Sequence, residues 1–354
     1  MTRLRRLAER LDDPLLVTNP VNVRYLTGLS SSNAALLVEP DGSTTLFTDF
    51  RYLTKARQVD GVTLVETARD LVGSLAGSLA GRRVAFESGQ LVQAAYARLV
   101  EGGLELVPTG GLVDGRPKGI VEDLRRVKEL GEVDAIRRAA ELSDEMFTAL
   151  ATERFVGRTE RELAWWIERH FREVGASGLS FSAVVASGEN GASPHADPSD
   201  RPIEAGRLVT VDAGCVVDGY CSDCTRTFAT GGLPTELADI YALCLEAQLA
   251  GLAAVAPGAH GREVDAASRV AISEAGHGEA YGHGLGHGVG LEIHEAPTLR
   301  PESQDTLEPG NVVTVEPGIY VPGLGGVRIE DLVLVTADGA ERLTQFPKEL
   351  ITVS

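Results

Sequence analysis

The chain is poor in basic residues: 33 Lys and Arg stand against 51 Asp and Glu in 354 residues, a formal net charge of −18 at pH 7. Nucleic acids and anionic membrane surfaces attract clustered Lys and Arg, so we expect neither as a partner. Long apolar runs are also missing, and no stretch of about 18 apolar residues predicts a transmembrane helix. The basic segment MTRLRRLAERLDD has no apolar core typical of a signal peptide. These absences predict a cytoplasmic protein.

Cysteine is scarce. The four cysteines are Cys215, Cys221, Cys224 and Cys244, and a reducing compartment is the simplest setting for them. Cys221 and Cys224 form a C-x-x-C pattern, which can indicate zinc or redox chemistry. No second C-x-x-C accompanies it, and the pattern surrounds an aspartate in a strand-like run. We therefore interpret the four as ordinary buried thiols.

The sequence also lacks low-complexity tracts and short-period repeats, and its hydrophobic fraction is 43%. A well-packed globular chain of about two domains is expected. Short strand-like and helical segments alternate in residues 1–120, where Glu39-Pro40-Asp41-Gly42 predicts a hairpin turn. Gly110–Gly119 is rich in glycine and is the predicted linker. We therefore predict a small α/β domain over residues 1–120 and a second domain over 121–354.

The second domain combines charged helices with strands and turns, which indicates an α+β arrangement. Thr159 and Glu162 form a capping box at the start of a predicted helix. His170 falls on the apolar face of that helix, so we interpret it as a packed histidine. Val327–Val335 is predicted to be one strand. Two further helices are predicted, Thr235–Ala256 and Gly261–Gly276.

A short segment from Tyr281 to Glu295, YGHGLGHGVGLEIHE, holds three of the seven histidines, His283, His287 and His294. Its glycines allow close approach of the backbone to another group. Taken alone, the segment is also compatible with a Gly-rich loop that carries incidental histidines. The flanking chain decides between the two interpretations.

Four carboxylates occupy strand-like settings where apolar residues normally dominate: Asp212 in LVTVDAG, Asp223 in YCSDCTRTF, Glu316 in VVTVEPG and Glu330 in GVRIEDLVLV. Any one of them alone is compatible with an exposed acid at a strand end. Buried carboxylates persist when cations or metals pair with them. Together with His287 they form a set of oxygen ligands and one nitrogen, which suits Mn²⁺, Co²⁺, Fe²⁺ or Zn²⁺. The summed charge of about −4 predicts two divalent ions.

The motifs VDAG, SDCTRT, GHGLGH, VEPG and GGVRIED, in this order, resemble the ligand motifs of the pita-bread metallopeptidases, which include aminopeptidase P, prolidase and methionine aminopeptidase. Residues 1–120, with NVRYLTG, resemble the N-terminal domain that aminopeptidase P, prolidase and creatinase share. Methionine aminopeptidase usually lacks that domain. The resemblance implies an α+β pita-bread catalytic domain preceded by a smaller creatinase-type α/β domain.

The same resemblance implies a role for each ligand. Asp212 and Asp223 would bind one ion, His287 and Glu316 the other, while Asp223 and Glu330 would bridge the pair. The ions would share a water that becomes a hydroxide nucleophile near neutral pH. Glu316 would take the proton of the water and pass it to the leaving proline nitrogen. We expect two divalent ions per subunit, first Mn²⁺, with Co²⁺ or Zn²⁺ as alternatives.

Further residues match family positions. His195 in SPHADP and His294 in LEIHE resemble the pair that holds the substrate carbonyl and the developing oxyanion. His283 resembles a histidine that lines the proline pocket. Arg328 resembles an arginine that fixes the bridging carboxylates through a charge-assisted pair, although by itself it is compatible with a surface strand arginine. Two more residues are candidates for positions that support the ligands: Asp218 and Tyr220.

The substrate implied by the resemblance is a proline-containing peptide, whose bond before proline lacks an N–H and has a constrained φ. Some prolidases carry an arginine, able to grip a dipeptide carboxylate, four residues after the histidine matching His294. This chain has Thr298 there and Arg300 two residues further on. We therefore expect an Xaa-Pro aminopeptidase, with an Xaa-Pro dipeptidase (prolidase) as the alternative.

Two readings from other classes remain: a metal-free pita-bread binding module and a creatinase-like enzyme. Both are disfavoured because all five ligand residues are present. The family often forms dimers through the N-terminal domain, so a homodimer is expected by analogy.

Overall fold

A computed structural model describes residues 2–113 and 116–354 of the chain. The chain divides into two compact units, Met1–Arg125 and Arg126–Ser354. The predicted boundary after residue 120 falls at the first residue of a helix, Ile120–Arg126.

This helix is tied to the first unit by two buried hydrogen bonds. Nη1 of Arg125 donates to Oδ1 of Asn22 at 2.8 Å, and the Tyr25 hydroxyl donates to the carbonyl of Leu124 at 3.1 Å. An unpaired polar group in the interior costs about 1–3 kcal/mol, so the helix stays with the residues that satisfy it. Such long-range contacts leave no mark on local composition, which is why the glycine-rich segment indicated an earlier boundary.

The first unit is built on a six-stranded sheet. In chain order its elements are α1 (Arg3–Ala8), β1 (Leu15–Val17), α2 (Pro20–Thr27), β2 (Ala34–Val38), β3 (Thr44–Asp49), α3 (Leu53–Ala56), β4 (Thr63–Thr67), α4 (Leu71–Ser78), β5 (Arg83–Glu87), α5 (Gln93–Glu101), β6 (Glu105–Thr109), β7 (Gly111–Val113), β8 (Arg116–Lys118) and α6 (Ile120–Arg126). The strand order in the sheet is β4-β3-β2-β1-β5-β6, and the core includes Leu16, Leu37, Phe47 and Leu75.

The predicted hairpin is confirmed, since β2 and β3 are antiparallel and Val38 pairs with Thr44. Helix α2 was not predicted, although the sequence contains its signals. Asn19 caps it by accepting a hydrogen bond from the Val21 N–H, proline occupies the first position, and Gly28 ends it at φ 75°. These are ordinary marks of a helix start and a helix stop.

The predicted linker, Gly110–Gly119, is wrong in its main part, because this segment forms an antiparallel ladder of β7 and β8 within the first unit. Gly110 has φ +67°, and a Cβ there would lie 2.0 Å from the carbonyl oxygen of Lys118. The turn into the ladder therefore requires glycine at this position. Residues 114 and 115 lie outside the described residues.

The second unit combines helices with small antiparallel sheets. Its elements are α7 (Leu130–Leu150), α8 (Glu160–Glu173), β9 (Gly178–Leu179), β10 (Val184–Ser187), β11 (Leu208–Asp212), β12 (Cys215–Val217), β13 (Tyr220–Cys221), β14 (Thr225–Ala229), α9 (Thr235–Ala254), α10 (Gly261–Glu274), β15 (Gly286–Gly288), β16 (Glu295–Leu299), β17 (Val312–Val315), β18 (Gly318–Val321), β19 (Gly325–Arg328), β20 (Asp331–Val335) and β21 (Ala340–Arg342). Among the residues that the structure describes, its strands form four sheets, in the orders β10-β11-β14, β13-β12-β9, β16-β15-β17-β20-β21 and β18-β19.

The predicted helices of this unit are confirmed, with α9 and α10 each ending two residues before the predicted bound. The capping box at the start of α8 is present in both directions, since Thr159 and Glu162 each accept a hydrogen bond from the backbone N–H of the other. His170 is packed as predicted, stacked on Trp166 with ring centroids 4.9 Å apart. The unit has the α+β class expected of it.

Helix α9 differs from expectation in one respect. By length and composition it is apolar enough to cross a membrane, with a mean hydropathy of 1.4. It packs beside α10, and its buried Ile240, Tyr241 and Cys244 belong to a core cluster of the second unit. Its Gln248 donates to Asp331 at 3.1 Å. One face of this apolar helix therefore belongs to the core of the second unit.

The single strand predicted over Val327–Val335 is wrong. β19 ends at Arg328 and pairs with β18, whereas β20 begins at Asp331 and pairs with β17. Ile329 and Glu330 occupy the break between the two sheets. A run of β-favouring residues does not reveal a change of partner sheet, because side-chain alternation depends only on the local backbone.

Candidate metal centre and active site

Three carboxylates converge around strand β14. Asp212 ends β11 and pairs with Thr225 of β14, Asp223 lies just before that strand, and the Glu330 N–H donates to the Thr225 carbonyl at 3.1 Å. One oxygen of each carboxylate lies within 4.8 Å of the other two. Residues far apart in sequence meet because β14 has both β11 and the break before β20 as neighbours.

The residues between the two aspartates fold as an excursion from this sheet. β12 and β13 form a hairpin in which Val217 pairs with Tyr220. Asp218 and Gly219 supply the two-residue turn at φ 50° and 86°, a conformation typical of tight hairpins. The hairpin lets Asp212 and Asp223 end on neighbouring backbone segments.

The thiols of the C-x-x-C pattern belong to the interior, as predicted. All four cysteines are buried free thiols. Burial raises the pKa of Cys221 to about 12 and that of Cys224 well above its ordinary value. Since the thiolate is the form that binds metals and reacts, burial opposes both uses.

His287 and Glu316 lie beside these three carboxylates, and the five residues together are called the group below. His287 is the middle residue of β15, and Glu316 directly follows β17. Nε2 of His287 lies 3.2 Å from Oε1 of Glu316 and 3.6 Å from Oδ2 of Asp223. A Cβ at Gly286 would lie 2.0 Å from the Thr314 carbonyl oxygen. Glycine is therefore what permits β15 to approach β17 closely enough to bring the imidazole to the carboxylates.

The electrostatics of the group favour bound cations. Burial, followed by the neighbouring carboxylates, raises the pKa of Asp223 and of Glu330 well above ordinary values. Burial also raises the pKa of Asp212 against the opposing effect of Arg328. Glu316 is the exception: burial alone would raise its pKa, but the hydrogen bond from His287 lowers it to about 2. Like charges this close do not all ionise unless cations compensate them.

Two carboxylates of the group each have one buried oxygen without a hydrogen-bond partner among the described residues, as expected of metal ligands. Oδ2 of Asp212 accepts from Arg328 at 2.6 Å, and Oε2 of Glu330 accepts from Thr225 at 2.8 Å. The other oxygens, Oδ1 of Asp212 and Oε1 of Glu330, are buried and have no hydrogen-bond partner among the described residues. A buried acceptor without a partner is costly, and a cation supplies one. With an imidazole beside them, the residues fit divalent metal ions.

Arg328 is buried beside the group, with 4% of its surface exposed. This contradicts its interpretation as a surface arginine. It was predicted to hold the bridging carboxylates Asp223 and Glu330. Its Nη2 contacts Asp212 instead, and its Nε donates to Oγ1 of Thr225 at 3.1 Å. Arg328 therefore reaches Glu330 through the Thr225 hydroxyl.

Two residues of this network were missed in the sequence. Thr225 lies two positions after Asp223, and this spacing could have placed both on one side of an extended segment. Tyr320 has no signal of its own. Its hydroxyl accepts from Nη1 of Arg328 at 2.7 Å and lies 3.0 Å from Nε2 of His283, a contact that depends on the pairing of β18 with β19.

The three other histidines predicted for the site, His195, His283 and His294, lie near these carboxylates or contact residues that do. His283 is held by Tyr320, and burial lowers its pKa, so its ring is neutral near pH 7. His294 is exposed, with its ring centroid 4.3 Å from that of His287 at an interplanar angle of 76°. His195 is also exposed, and the carbonyl of the preceding Pro194 accepts from Arg328 at 3.1 Å. Their substrate roles stay predictions.

The other candidates contact helix α7. The Tyr220 hydroxyl donates to Glu132 at 3.0 Å, and Asp218 pairs with Arg138 at 2.7 Å. These contacts attach the β12–β13 hairpin to the helix.

Thr298 lies opposite His287 in the ladder of β15 and β16. Its backbone N–H donates to Oδ2 of Asp305 at 2.9 Å, and its hydroxyl lies 3.1 Å from the same oxygen. The position at which some prolidases place an arginine is thus used for local structure in this chain.

Both units of the chain match known protein families. Residues 134–337 match the family model described as metallopeptidase family M24, and residues 2–126 match the creatinase/prolidase N-terminal domain. The uncharacterized peptidase YqhT of Bacillus subtilis (strain 168) is 40% identical over 358 residues, which cover 99% of each chain.

Two solved structures carry more specific names. The Xaa-Pro dipeptidase from Bacillus anthracis is 39% identical with a TM-score of 0.93, and the match covers 99% of both chains. The X-Pro aminopeptidase from Thermotoga maritima MSB8 is 31% identical with a TM-score of 0.87, and the match covers 98% of this chain and 99% of that chain. The chain is thus similar over nearly its whole length to peptidases of both names.

Proposed function

The chain belongs to metallopeptidase family M24, and we propose that it hydrolyses the bond between an N-terminal residue and proline with the help of two divalent metal ions. The observation that carries this proposal is the meeting of Asp212, Asp223 and Glu330 within 4.8 Å, with His287 3.2 Å from Glu316 beside them. The predicted fold, a pita-bread catalytic domain after a creatinase-type domain, is confirmed by the matches to both family models and to the solved structures. Among divalent ions we propose Mn²⁺ first, with Co²⁺ or Zn²⁺ as alternatives.

The residues divide the chemistry between them. Bound ions would supply an activated water and polarise the scissile carbonyl. Glu316, with its Oε1 3.2 Å from Nε2 of His287, would accept a proton from the activated water and deliver it to the leaving proline nitrogen. The exposed imidazoles of His195 and His294 would bind the substrate carbonyl and the developing oxyanion. The neutral ring of His283 would line the proline pocket.

Two observations bear on substrate length. A structure 39% identical over nearly the whole chain is named an Xaa-Pro dipeptidase, which favours dipeptides. Thr298, engaged with Asp305 where some prolidases have an arginine, favours longer peptides. From the sequence alone, Thr298 favoured an Xaa-Pro aminopeptidase over a dipeptidase. We propose the dipeptide as the preferred substrate, because the structure named an Xaa-Pro dipeptidase is more similar to this chain, at 39% identity, than the structure named an X-Pro aminopeptidase, at 31%.

The test is a comparison of Ala-Pro with Ala-Pro-Ala, using Mn²⁺-loaded protein and Ala-Ala as the control without proline. We expect kcat/KM for Ala-Pro to exceed that for the tripeptide by about tenfold or more, and Ala-Ala to be cleaved poorly, because even a single methylene in a hydrophobic pocket changes kcat/KM by about 10–200-fold. Equal or faster cleavage of the tripeptide would make the protein an Xaa-Pro aminopeptidase. Cleavage of neither proline peptide by metal-loaded protein would contradict the proposal.

A further inference from the structure

The pair formed by Arg226 and Asp331 lies directly behind Glu330 and is not among the predicted ligands. Arg226 is the second residue of β14 and is only 2% exposed. Successive side chains of a strand point to opposite faces. Thr225 therefore faces Arg328 and the Glu330 carboxylate, whereas Arg226 faces the interior on the other side.

The Arg226 guanidinium donates hydrogen bonds to two other segments of the chain, residues 330–331 and residues 346–347. Nη1 donates to the Glu330 carbonyl, and Nη2 donates to Oδ1 of Asp331 at 2.9 Å. Nη2 and Nε also donate to the C-terminal segment, to the carbonyls of Phe346 at 2.6 Å and Pro347 at 2.9 Å. The planar guanidinium thus joins the proposed ligand Glu330, the adjacent Asp331 and the C-terminal segment at Phe346 and Pro347.

Glu330 depends on these contacts because it lies in the break between β19 and β20. Its N–H donates to the Thr225 carbonyl at 3.1 Å, its carbonyl accepts from Arg226, and its Oε2 accepts from the Thr225 hydroxyl at 2.8 Å. Two consecutive residues of β14 therefore hold the backbone and the side chain of Glu330 from opposite faces.

Asp331 holds the guanidinium in place. It is 0% exposed, and three further side chains donate to its oxygens: Lys348 at 2.6 Å, Thr344 at 3.1 Å and Gln248 at 3.1 Å. A buried ion pair is weak support for stability, because apolar residues of similar volume often stabilise as well or better. A pair whose cation holds the backbone of a ligand has a positional use that apolar residues lack.

We propose that Arg226 and Asp331 are positioning residues that orient the Glu330 carboxylate for the metal ions. This inference rests on the proposed two-metal function. Groups that orient a metal ligand without touching the metal typically change metal affinity by about 10–100-fold when replaced.

The first test is Arg226→Lys, measured by calorimetric titration with Mn²⁺ and by the visible absorption of the Co²⁺-loaded protein. Lysine keeps the charge but has no planar fork, so it cannot hold Glu330, Asp331 and Phe346 together. We expect the weaker of the two Mn²⁺ ions to bind about 10–100-fold less tightly and the Co²⁺ spectrum to change. Asp331→Asn is the second variant, which is expected to act in the same direction if Arg226→Lys does not fold.

The control is Arg51→Lys in the first unit. The Arg51 side chain is 36% exposed, more than that of Arg226, but it makes a similar forked contact with the buried Asp49, at 2.9 and 2.7 Å, and this unit holds none of the five predicted ligands. It should lower thermal stability and leave Mn²⁺ affinity and the Co²⁺ spectrum unchanged. A shift in the control as large as in Arg226→Lys would overturn the inference.

The possible failures are distinguishable. Wild-type protein that binds fewer than two ions would overturn the two-metal function and this inference with it. Wild-type protein that binds two ions, alongside folded variants with the same affinity and the same Co²⁺ spectrum, would overturn the inference alone.

Discussion

At the scale of single residues, neighbours in sequence have different surroundings. Glu330 has one buried oxygen with no hydrogen-bond partner among the described residues, whereas the carboxylate of the adjacent Asp331 accepts from Arg226, Lys348, Gln248 and Thr344. An oxygen left without donors is open to a cation, and a carboxylate surrounded by donors is not. The hydrogen-bond partners, and not the residue type, separate a candidate ligand from a structural acid.

Replacing ligands tests this distinction. Glu330→Ala should lower kcat/KM by more than about a hundredfold, because even groups that only support ligands cost about 10–100-fold.

His287→Ala should leave one ion fewer per chain, measured by metal analysis of the dialysed protein. The control is His170→Ala, on the packed face of α8, which should retain both ions. Two ions in His287→Ala would show that this imidazole is not a ligand.

At the scale of elements, strand β14 organises the second unit. It pairs with β11 through five residue pairs, and its first residue also accepts the N–H of Glu330. One face supplies Thr225 to the carboxylates and the other supplies Arg226 to the interior. A single short strand thereby sets the distance between two groups of ligands, which rigid elements do better than loops.

Helix α8 offers a prediction that is independent of the metal centre. Thr159→Ala removes the side chain that accepts the Glu162 N–H at 3.1 Å, and loss of such a cap costs about 0.5–2 kcal/mol. The free energy of unfolding, measured in urea, should fall by about that amount. The control is Thr148→Ala on the exposed side of α7, where alanine favours the helix and the effect should be small or stabilising. Equal effects of the two changes would contradict a capping role for Thr159.

At the scale of the whole molecule, the predicted ligands all belong to the second unit, and the first unit has a separate core around its own sheet. Four carboxylates gathered in one place repel one another when no cation balances them. Metal binding should therefore stabilise the second unit in particular, and removal of metal should weaken it.

The expected result is a higher Tm in excess Mn²⁺ than in a chelator, measured by calorimetry. At free Mn²⁺ one hundred times its Kd, each site adds about 2.7 kcal/mol, equivalent to roughly 5–10 °C for a unit of this size. Asp223→Asn removes one of the mutually repelling charges and should shrink the difference. Identical Tm values with and without Mn²⁺ would contradict a metal site formed by these residues.

Much of the candidate site could be predicted from local sequence. Asp212, Asp223, Glu316 and Glu330 stand out because a carboxylate in an apolar, strand-like run needs a compensating partner, and that cost is visible residue by residue. The glycines around His287 indicated a close approach, and a Cβ at Gly286 would indeed lie 2.0 Å from the Thr314 carbonyl oxygen. Capping and turn signals likewise depend on neighbours in sequence.

The candidate ligands and most helix positions followed from local sequence, because burial cost, capping and turn chemistry act over a few residues, and the family followed from the resemblance of the ligand motifs. Three features required the folded chain: the contact of Arg328 with Asp212, the link from Arg328 through Tyr320 to His283, and the position of Glu330 in a break between two sheets, held by Thr225 and Arg226. Each of these contacts joins elements through strand pairing or core packing. Which strands pair depends on the fold of the whole unit, so no local sequence pattern predicts these contacts.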